Sequence, residues 1–154
     1  MTLRTKIKQL FTAFGISVVS LGSYAEVTFD QGHVRAMPPS APNTAAYLSL
    51  SNQGDKTVKL VGVRTDIARE SQLHTIIEQD GVVKMRQIHE LTIAPQHSLT
   101  LSAGGDHIML LGLKTPLTLG QSVGLQLQFD DGQTLDVSLP VMAIGAEETH
   151  HQHH

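Results

Sequence analysis

The chain has 154 residues, which suits one domain with a hydrophobic core and is short for two. It contains no cysteine, which excludes both a disulfide framework and a thiolate metal site. Its formal net charge is −3, and this acidic balance argues against nucleic acid and anionic lipid as binding partners.

Residues 1–25 have the pattern of a secretory signal peptide. A basic start precedes a mostly apolar run over residues 10–21, and Ser23 and Ala25 place small side chains before a cleavage site. A membrane anchor is the alternative, but the run is short for a bilayer span and no later stretch is long enough. Cleavage after Ala25 removes three of the eleven Lys and Arg and none of the fourteen Asp and Glu, so the predicted exported chain has a net charge of −6.

Residues 26–142 are predicted to form one all-β domain. Short apolar stretches alternate with turn residues, and no long run has the 3.6-residue period of a helix, although one helical turn is expected over 66–70. Strands at this spacing favour a β-sandwich or Greek-key barrel, with a core of Leu, Val and Ile because aromatic residues are few. The predicted strands cover residues 45–50, 56–63, 72–77, 82–88, 98–101, 108–113, 123–129 and 135–141, with alternating apolar residues also at 90–93 and a mixed segment at 27–37.

The two clearest strands, 123–129 and 135–141, carry their apolar residues at odd-numbered positions. In a hairpin these apolar sets must share a face, because a slip of one residue turns every side chain over. A two-residue turn would separate the sets, whereas a three-residue loop over 130–132 pairs Leu127 with Leu135. The pattern therefore predicts a type I turn and a G1 bulge whose glycine is left-handed.

Two histidines and two methionines are the candidate metal ligands: His74, Met85, His107 and Met109, spaced H-x10-M-x21-H-x-M. Imidazole and thioether together suit Cu(I), a soft ion that accepts sulfur donors without thiolate. His107 and Met109 are two residues apart on a predicted strand, so their side chains share a face. Each residue alone would more commonly be a core methionine or a surface histidine, and only the set indicates a site.

Whether His74 and Met85 share a face depends on the length of the loop around Asp80-Gly81. A four-residue loop would place them directly opposite each other, and a two-residue loop would make them diagonal neighbours. A three-residue loop would put them on opposite faces. The residues do not choose among these lengths; the ligand hypothesis requires an even number, and we take that as the prediction.

In these residues and their flanks, the chain resembles the periplasmic copper chaperones called PCuAC, whose hallmark is H(M)-x10-M-x21-H-x-M. The motif matches at His74, Met85, His107 and Met109 without a gap. The resemblance runs from about residue 33 to 141 and includes the flanking segments 34–39, 43–48, 80–86 and 104–114. One departure is Ile76-Ile77, where relatives often carry an additional methionine near the first histidine.

The resemblance implies a cupredoxin-like β-barrel that binds Cu(I) at an accessible site in the periplasm. It also implies delivery of copper for assembly of the CuA centre of cytochrome oxidase, with copper-accepting assembly proteins or the CuA subunit as partners. The donor set is chemically consistent with this role. Two imidazoles and two thioethers add no negative charge, which favours Cu(I) over Cu(II) or Zn(II).

The C-terminal segment, residues 143–154, is predicted to be a flexible His-rich tail. It has four histidines, His150, His151, His153 and His154. A cloning tag is one explanation, but the interruption at Gln152 and the retained signal peptide favour a natural metal-binding tail. Imidazole clusters suit Cu(II) or Zn(II), so the tail is a candidate Cu(II) site.

The competing hypotheses are an enzyme and a β-domain without chemistry. A hydrolytic metal site usually needs a general base, but Asp106 would point to the opposite face of the strand from His107. There is no cysteine and no serine in a G-x-S-x-G turn, so nucleophilic catalysis has no support and the chain is predicted not to be an enzyme. Metal storage or buffering, and a structural module without metal, remain the alternatives.

Overall fold

The computed structural model describes residues 26–143 and residue 145. The predicted signal peptide and the four tail histidines lie outside the described residues. No helix occurs in the described part of the chain, and accordingly none there is long and apolar enough to cross a membrane. The ten strands are β1 (Val27–Arg35), β2 (Asn43–Asn52), β3 (Val58–Arg64), β4 (Ala68–Gln79), β5 (Val82–Ile88), β6 (Leu91–Ile93), β7 (Ser98–Thr100), β8 (His107–Leu113), β9 (Ser122–Phe129) and β10 (Thr134–Met142).

The strands form two sheets, which confirms the prediction of an all-β sandwich. The first sheet has the order β5-β4-β8-β2-β1, and β7 pairs with β2 beyond the end of β8. The second sheet has the order β10-β9-β3-β6. A short parallel pairing of β1 with β10, at Val34 and Val141, joins the sheets, and every other pairing is antiparallel.

The space between the sheets is filled almost entirely by aliphatic side chains. Leu50, Leu60, Ile108, Leu127 and Leu139 are among the largest that are fully buried. Each such side chain contributes about 1.5–3 kcal/mol relative to an exposed one. The predicted core of Leu, Val and Ile is therefore confirmed.

The β9–β10 hairpin has the predicted register. Leu127 pairs with Leu135, the loop covers residues 130–132, and Gly132 has φ +86°. The amide of Phe129 donates to the carbonyl of Gln133 at 3.0 Å, which closes the loop. Both apolar sets consequently face the core.

The helical turn predicted over residues 66–70 is wrong. β4 already begins at Ala68, which is buried and pairs with Leu113 of β8. The amide of Lys114 donates to the carbonyl of Ile67 at 2.9 Å, so the segment is held by partners distant in sequence. These tertiary hydrogen bonds override the local preference.

The first sheet has an inner face that lines the core and an outer face that carries polar and sulfur-containing side chains. On β8, Ile108 and Leu110 point inward and are fully buried. Because successive side chains alternate, His107 and Met109 point to the outer face. The candidate site therefore lies on the outside of the sandwich.

Candidate metal site

The β4–β5 hairpin places His74 and Met85 on the same face. The turn has two residues, Asp80 with φ +54° and Gly81 with φ +73°, as in a type I′ turn. Ile76 pairs with Met85, so His74 and Met85 are diagonal neighbours. The prediction of a loop with an even number of residues is confirmed.

The pairing of β4 with β8 brings the two halves of the motif to one face. His74 lies directly opposite His107, and Gln72 lies opposite Met109. The rings of His74 and His107 are 5.7 Å apart between centroids, at an interplanar angle of 60°. All four sequence-predicted residues therefore share the outer face of three adjacent strands.

A cavity of about 380 Å³ opens on this face. Met85, His107 and Met109 line it, together with Ile76 and Tyr47. His74 does not line it and lies beside it, against the ring of His107. His107 is only 3% exposed whereas Met85 is 60% exposed. The four candidate ligands therefore include a buried imidazole and a solvent-exposed thioether.

The ring of His107 is oriented by the backbone. Its Nδ1 lies 2.9 Å from the carbonyl oxygen of Gly105, and a carbonyl can only accept, so Nδ1 carries the proton and donates. The neutral ring then has its lone pair on Nε2, which is the atom available to a metal. The ring of Tyr47 packs edge-on against His107, with centroids 6.4 Å apart, and adds to its burial.

His74 is oriented by a chain of side chains along β4. The amide nitrogen of Gln72 donates to Glu70 at 2.6 Å, which leaves Gln72 Oε1 to accept from His74 Nε2 at 2.8 Å. The lone pair of neutral His74 is therefore on Nδ1. That atom is buried and has no hydrogen-bond partner within the described residues.

An unpaired buried acceptor of this kind costs about 1–3 kcal/mol, which a metal ion at Nδ1 would offset. Burial lowers the pKa of His74, and the neighbouring His107 lowers it further. Both effects favour the neutral ring, the form that binds metal. The donor atoms present thus fit a soft cation.

In the described part of the chain, no three His, Cys, Asp or Glu side chains come together as a metal site. The sulfur atoms of Met85 and Met109 are the further soft donors that lie on the same face as His74 and His107. Sequence reasoning missed three residues here, Met37, Tyr47 and Gln72. Met37 and Tyr47 line the cavity, and Gln72 orients His74. The alternation of side chains along β4 predicts that Gln72 and His74 share a face. The hydrogen bond between them could not be predicted from the sequence and is seen only in the structure.

Comparison with known proteins identifies the family. The family model described as "Putative lipoprotein LpqE-like" matches residues 27–141. The protein named "Putative lipoprotein Lxx21020" of Leifsonia xyli subsp. xyli is 38% identical over 109 residues, which is 70% of this chain and 66% of that protein. This chain therefore spans just under two thirds of the length of that curated relative.

Solved structures agree. CuI-DR1885 from Deinococcus radiodurans is 42% identical, with 72% of this chain and 74% of that chain covered and a TM-score of 0.60. The copper-bound PCuAC domain from PmoF2 is 19% identical, with 80% and 99% covered and a TM-score of 0.65, which establishes a shared fold. The chain therefore belongs to the LpqE-like family and has the cupredoxin-like fold of PCuAC domains, which confirms the resemblance seen in its sequence.

Proposed function

We propose that this protein is an exported copper chaperone that binds one Cu(I) ion through His74, Met85, His107 and Met109 and passes it to a partner. The observation that carries the proposal is the shared outer face of these four side chains, set by the pairing of β4 with β5 and β8. The names of two similar structures, CuI-DR1885 and the copper-bound PCuAC domain from PmoF2, support copper as the cargo.

The donor atoms suit the reduced ion. His107 would donate Nε2, His74 would donate Nδ1, and the two methionines would donate their sulfur atoms. All four are neutral, and Cu(I) has little geometric demand and accepts thioethers readily. Cu(II) and Zn(II) prefer harder or anionic ligands, and among the described residues no three His, Asp or Glu side chains come together to supply them.

The gradient of exposure across the site supports a role in transfer. Met85 lies on β5, the edge strand of its sheet, and is 60% exposed, whereas His107 is 3% exposed. A partner would reach Met85 first and displace it before the buried donors. By the PCuAC resemblance, the recipient is the CuA subunit of cytochrome oxidase or an assembly protein that serves it, and the place of transfer is the periplasm. The lipoprotein name of the Leifsonia relative supports export.

The binding proposal is tested by anaerobic titration with Cu(I) against a Cu(I)-specific chelator. We expect one ion per chain, and a large loss of affinity in Met85→Ala, Met109→Ala and His107→Ala. Met142→Leu is the matched control, because Met142 lies on β10 and does not line the cavity. A wild-type protein that fails to compete for Cu(I) would remove the proposal and favour a structural β-domain.

Transfer is tested separately by mixing the Cu(I)-loaded protein with an apo CuA domain. We expect copper to move to the CuA domain and the chain to return to its apo state. Tight binding without transfer would favour storage or buffering. Turnover of a redox substrate by the loaded protein would instead favour an enzyme.

We further propose that the C-terminal histidines form a second site that captures Cu(II). The support is compositional: His150, His151, His153 and His154 lie within five residues of one another. Deletion from His150 onward should lower the Cu(II) stoichiometry and leave the affinity for Cu(I) intact. Unchanged Cu(II) binding in the truncated protein would exclude this site.

A further inference from the structure

The methionines of this chain are unevenly distributed. The described residues contain four, and three of them, Met37, Met85 and Met109, line the same cavity. Only Met85 and Met109 belong to the H-x10-M-x21-H-x-M motif. Met37 comes from the segment between β1 and β2, and nothing in the motif accounts for its position at the site.

The strand order brings Met37 to the site from the side opposite His74. In the first sheet, β8 has β4 and β5 on one flank and β2 and β1 on the other. His74 and Met85 therefore approach His107 from one side. Met37, two residues beyond the end of β1, approaches from the other side and lines the cavity together with Tyr47.

The backbone around Met37 is held at both ends. The amide of Ala36 donates to the carbonyl of Met142 at 2.7 Å, and the amide of Ala41 donates to the carbonyl of Pro38 at 2.9 Å. Because Met37 precedes a proline, its own backbone is restricted to extended conformations. The partly buried thioether is consequently directed to the cavity by a constrained segment.

The simplest structural role for such a methionine is to fill a gap in the packing. The cavity argues against that role, since about 380 Å³ remains open beside the side chain. Three thioethers and the imidazole of His107 surround this space. The motif supplies two of these thioethers and the imidazole, and Met37 adds a third thioether.

We propose that Met37 is a further sulfur donor to Cu(I), reaching the ion from the β1–β2 side of the site. This inference rests on the proposed function, since it requires Cu(I) at His107 and Met109. While a partner displaces the exposed Met85, the motif alone leaves three donors, His74, His107 and Met109, and Met37 adds a fourth.

The test uses protein labelled with ¹³C at the methionine methyl groups and titrated anaerobically with Cu(I), which is diamagnetic. We expect the methyl resonances of Met37, Met85 and Met109 to shift together up to one equivalent, while that of Met142 stays in place. We also expect Met37→Leu to weaken Cu(I) binding roughly tenfold. Met142→Leu should bind as the wild type does.

The outcomes separate this inference from the function on which it rests. If the Met85 and Met109 methyl groups shift, the Met37 methyl group does not, and Met37→Leu binds normally, Met37 is not a donor and the four-residue site stands. If the wild-type protein binds no Cu(I) and no methyl group shifts, both proposals fall. The methyl spectrum of the wild type gives the answer even if Met37→Leu folds poorly.

Discussion

Two hairpins of this protein have similar turn sequences and very different surroundings. The β9–β10 hairpin turns at Asp130-Asp131-Gly132 and buries the apolar side chains of both strands between the sheets. The β4–β5 hairpin turns at Asp80-Gly81, and all of β5 except its last residue is exposed. In the first hairpin the core sets the register, and in the second the turn sets it.

The β9–β10 hairpin contributes mainly to the stability of the domain, whereas the β4–β5 hairpin contributes mainly to the candidate metal site. β9 and β10 contribute buried aliphatic side chains to the core and no residue to the cavity. β5 contributes little buried area and presents Met85 at the open side of the site. The proposed transfer of Cu(I) to a partner suits such an edge, because side chains there can move without opening the core.

The largest effect on stability is expected from Leu127→Ala in β9. Leu127 is fully buried, and truncation of such a leucine lowers the free energy of unfolding by about 2–5 kcal/mol. Chemical denaturation measures the loss, and Cu(I) affinity of the folded protein should stay unchanged. A comparable loss of stability in Met85→Ala would contradict the division between the hairpins, because exposed positions change stability by about 0.5 kcal/mol or less.

Substitution of Met85 is expected to lower Cu(I) affinity and leave stability unchanged. Met85→Ala should weaken Cu(I) binding by roughly 10- to 100-fold while the unfolding curve stays in place. Val82→Ala is the matched control, because Val82 is also an exposed apolar residue of β5 but lies on the other face of the strand. Competition with a Cu(I) chelator measures both variants. Equal affinities would mean that Met85 is not a ligand.

Substitution of the two turn glycines, Gly81 and Gly132, is expected to have a smaller effect on stability, and only one of the two substitutions should also affect Cu(I) binding. Gly81 and Gly132 both have positive φ and open space where a Cβ would lie, so alanine at either costs about 1–2 kcal/mol of conformational energy. We expect both variants to lose stability by this amount in denaturation experiments. Only Gly81→Ala should also weaken Cu(I) binding, because only this turn sets the register of a strand that carries a proposed ligand, Met85.

Copper binding that is equally unaffected in the two glycine variants would show that contacts elsewhere hold the β4–β5 register. Gly81→Asn is the control, since asparagine tolerates the left-handed conformation better than alanine does. It should recover most of the lost stability and the lost affinity.

The smallest effect is expected at Gln72. Gln72→Ala removes the hydrogen bond that keeps the proton on His74 Nε2, and a loss of about 1 kcal/mol would weaken Cu(I) binding roughly fivefold. Ring ¹⁵N chemical shifts of His74 should show a mixture of tautomers in this variant. Glu70→Gln keeps an acceptor for the Gln72 amide and should behave as the wild type does. An unchanged tautomer in Gln72→Ala would mean that Gln72 has no positioning role.

The amino-acid sequence alone was sufficient to predict the β9–β10 register and the bulge at Gly132. The odd-numbered apolar residues of both strands must meet the same core, and only one loop length permits this. His107 and Met109 were placed on one face by the same alternation, which is a local property of a strand. The motif was also readable, since its four residues and their spacing are visible without coordinates.

Only the tertiary structure decided where the other half of the site lies. β5 buries almost nothing, so no apolar pattern could select its register, and His74 meets His107 through a pairing of β4 with β8 that no local rule specifies. The helical turn expected over 66–70 failed for the same reason, because β4 takes its partners from β8. Met37 reaches the cavity only because β1 lies two strands from β8 in the folded sheet. The alternation of side chains within a strand is a local property that can be read from the sequence. Which strands pair in a sheet depends on how the whole domain buries its apolar side chains.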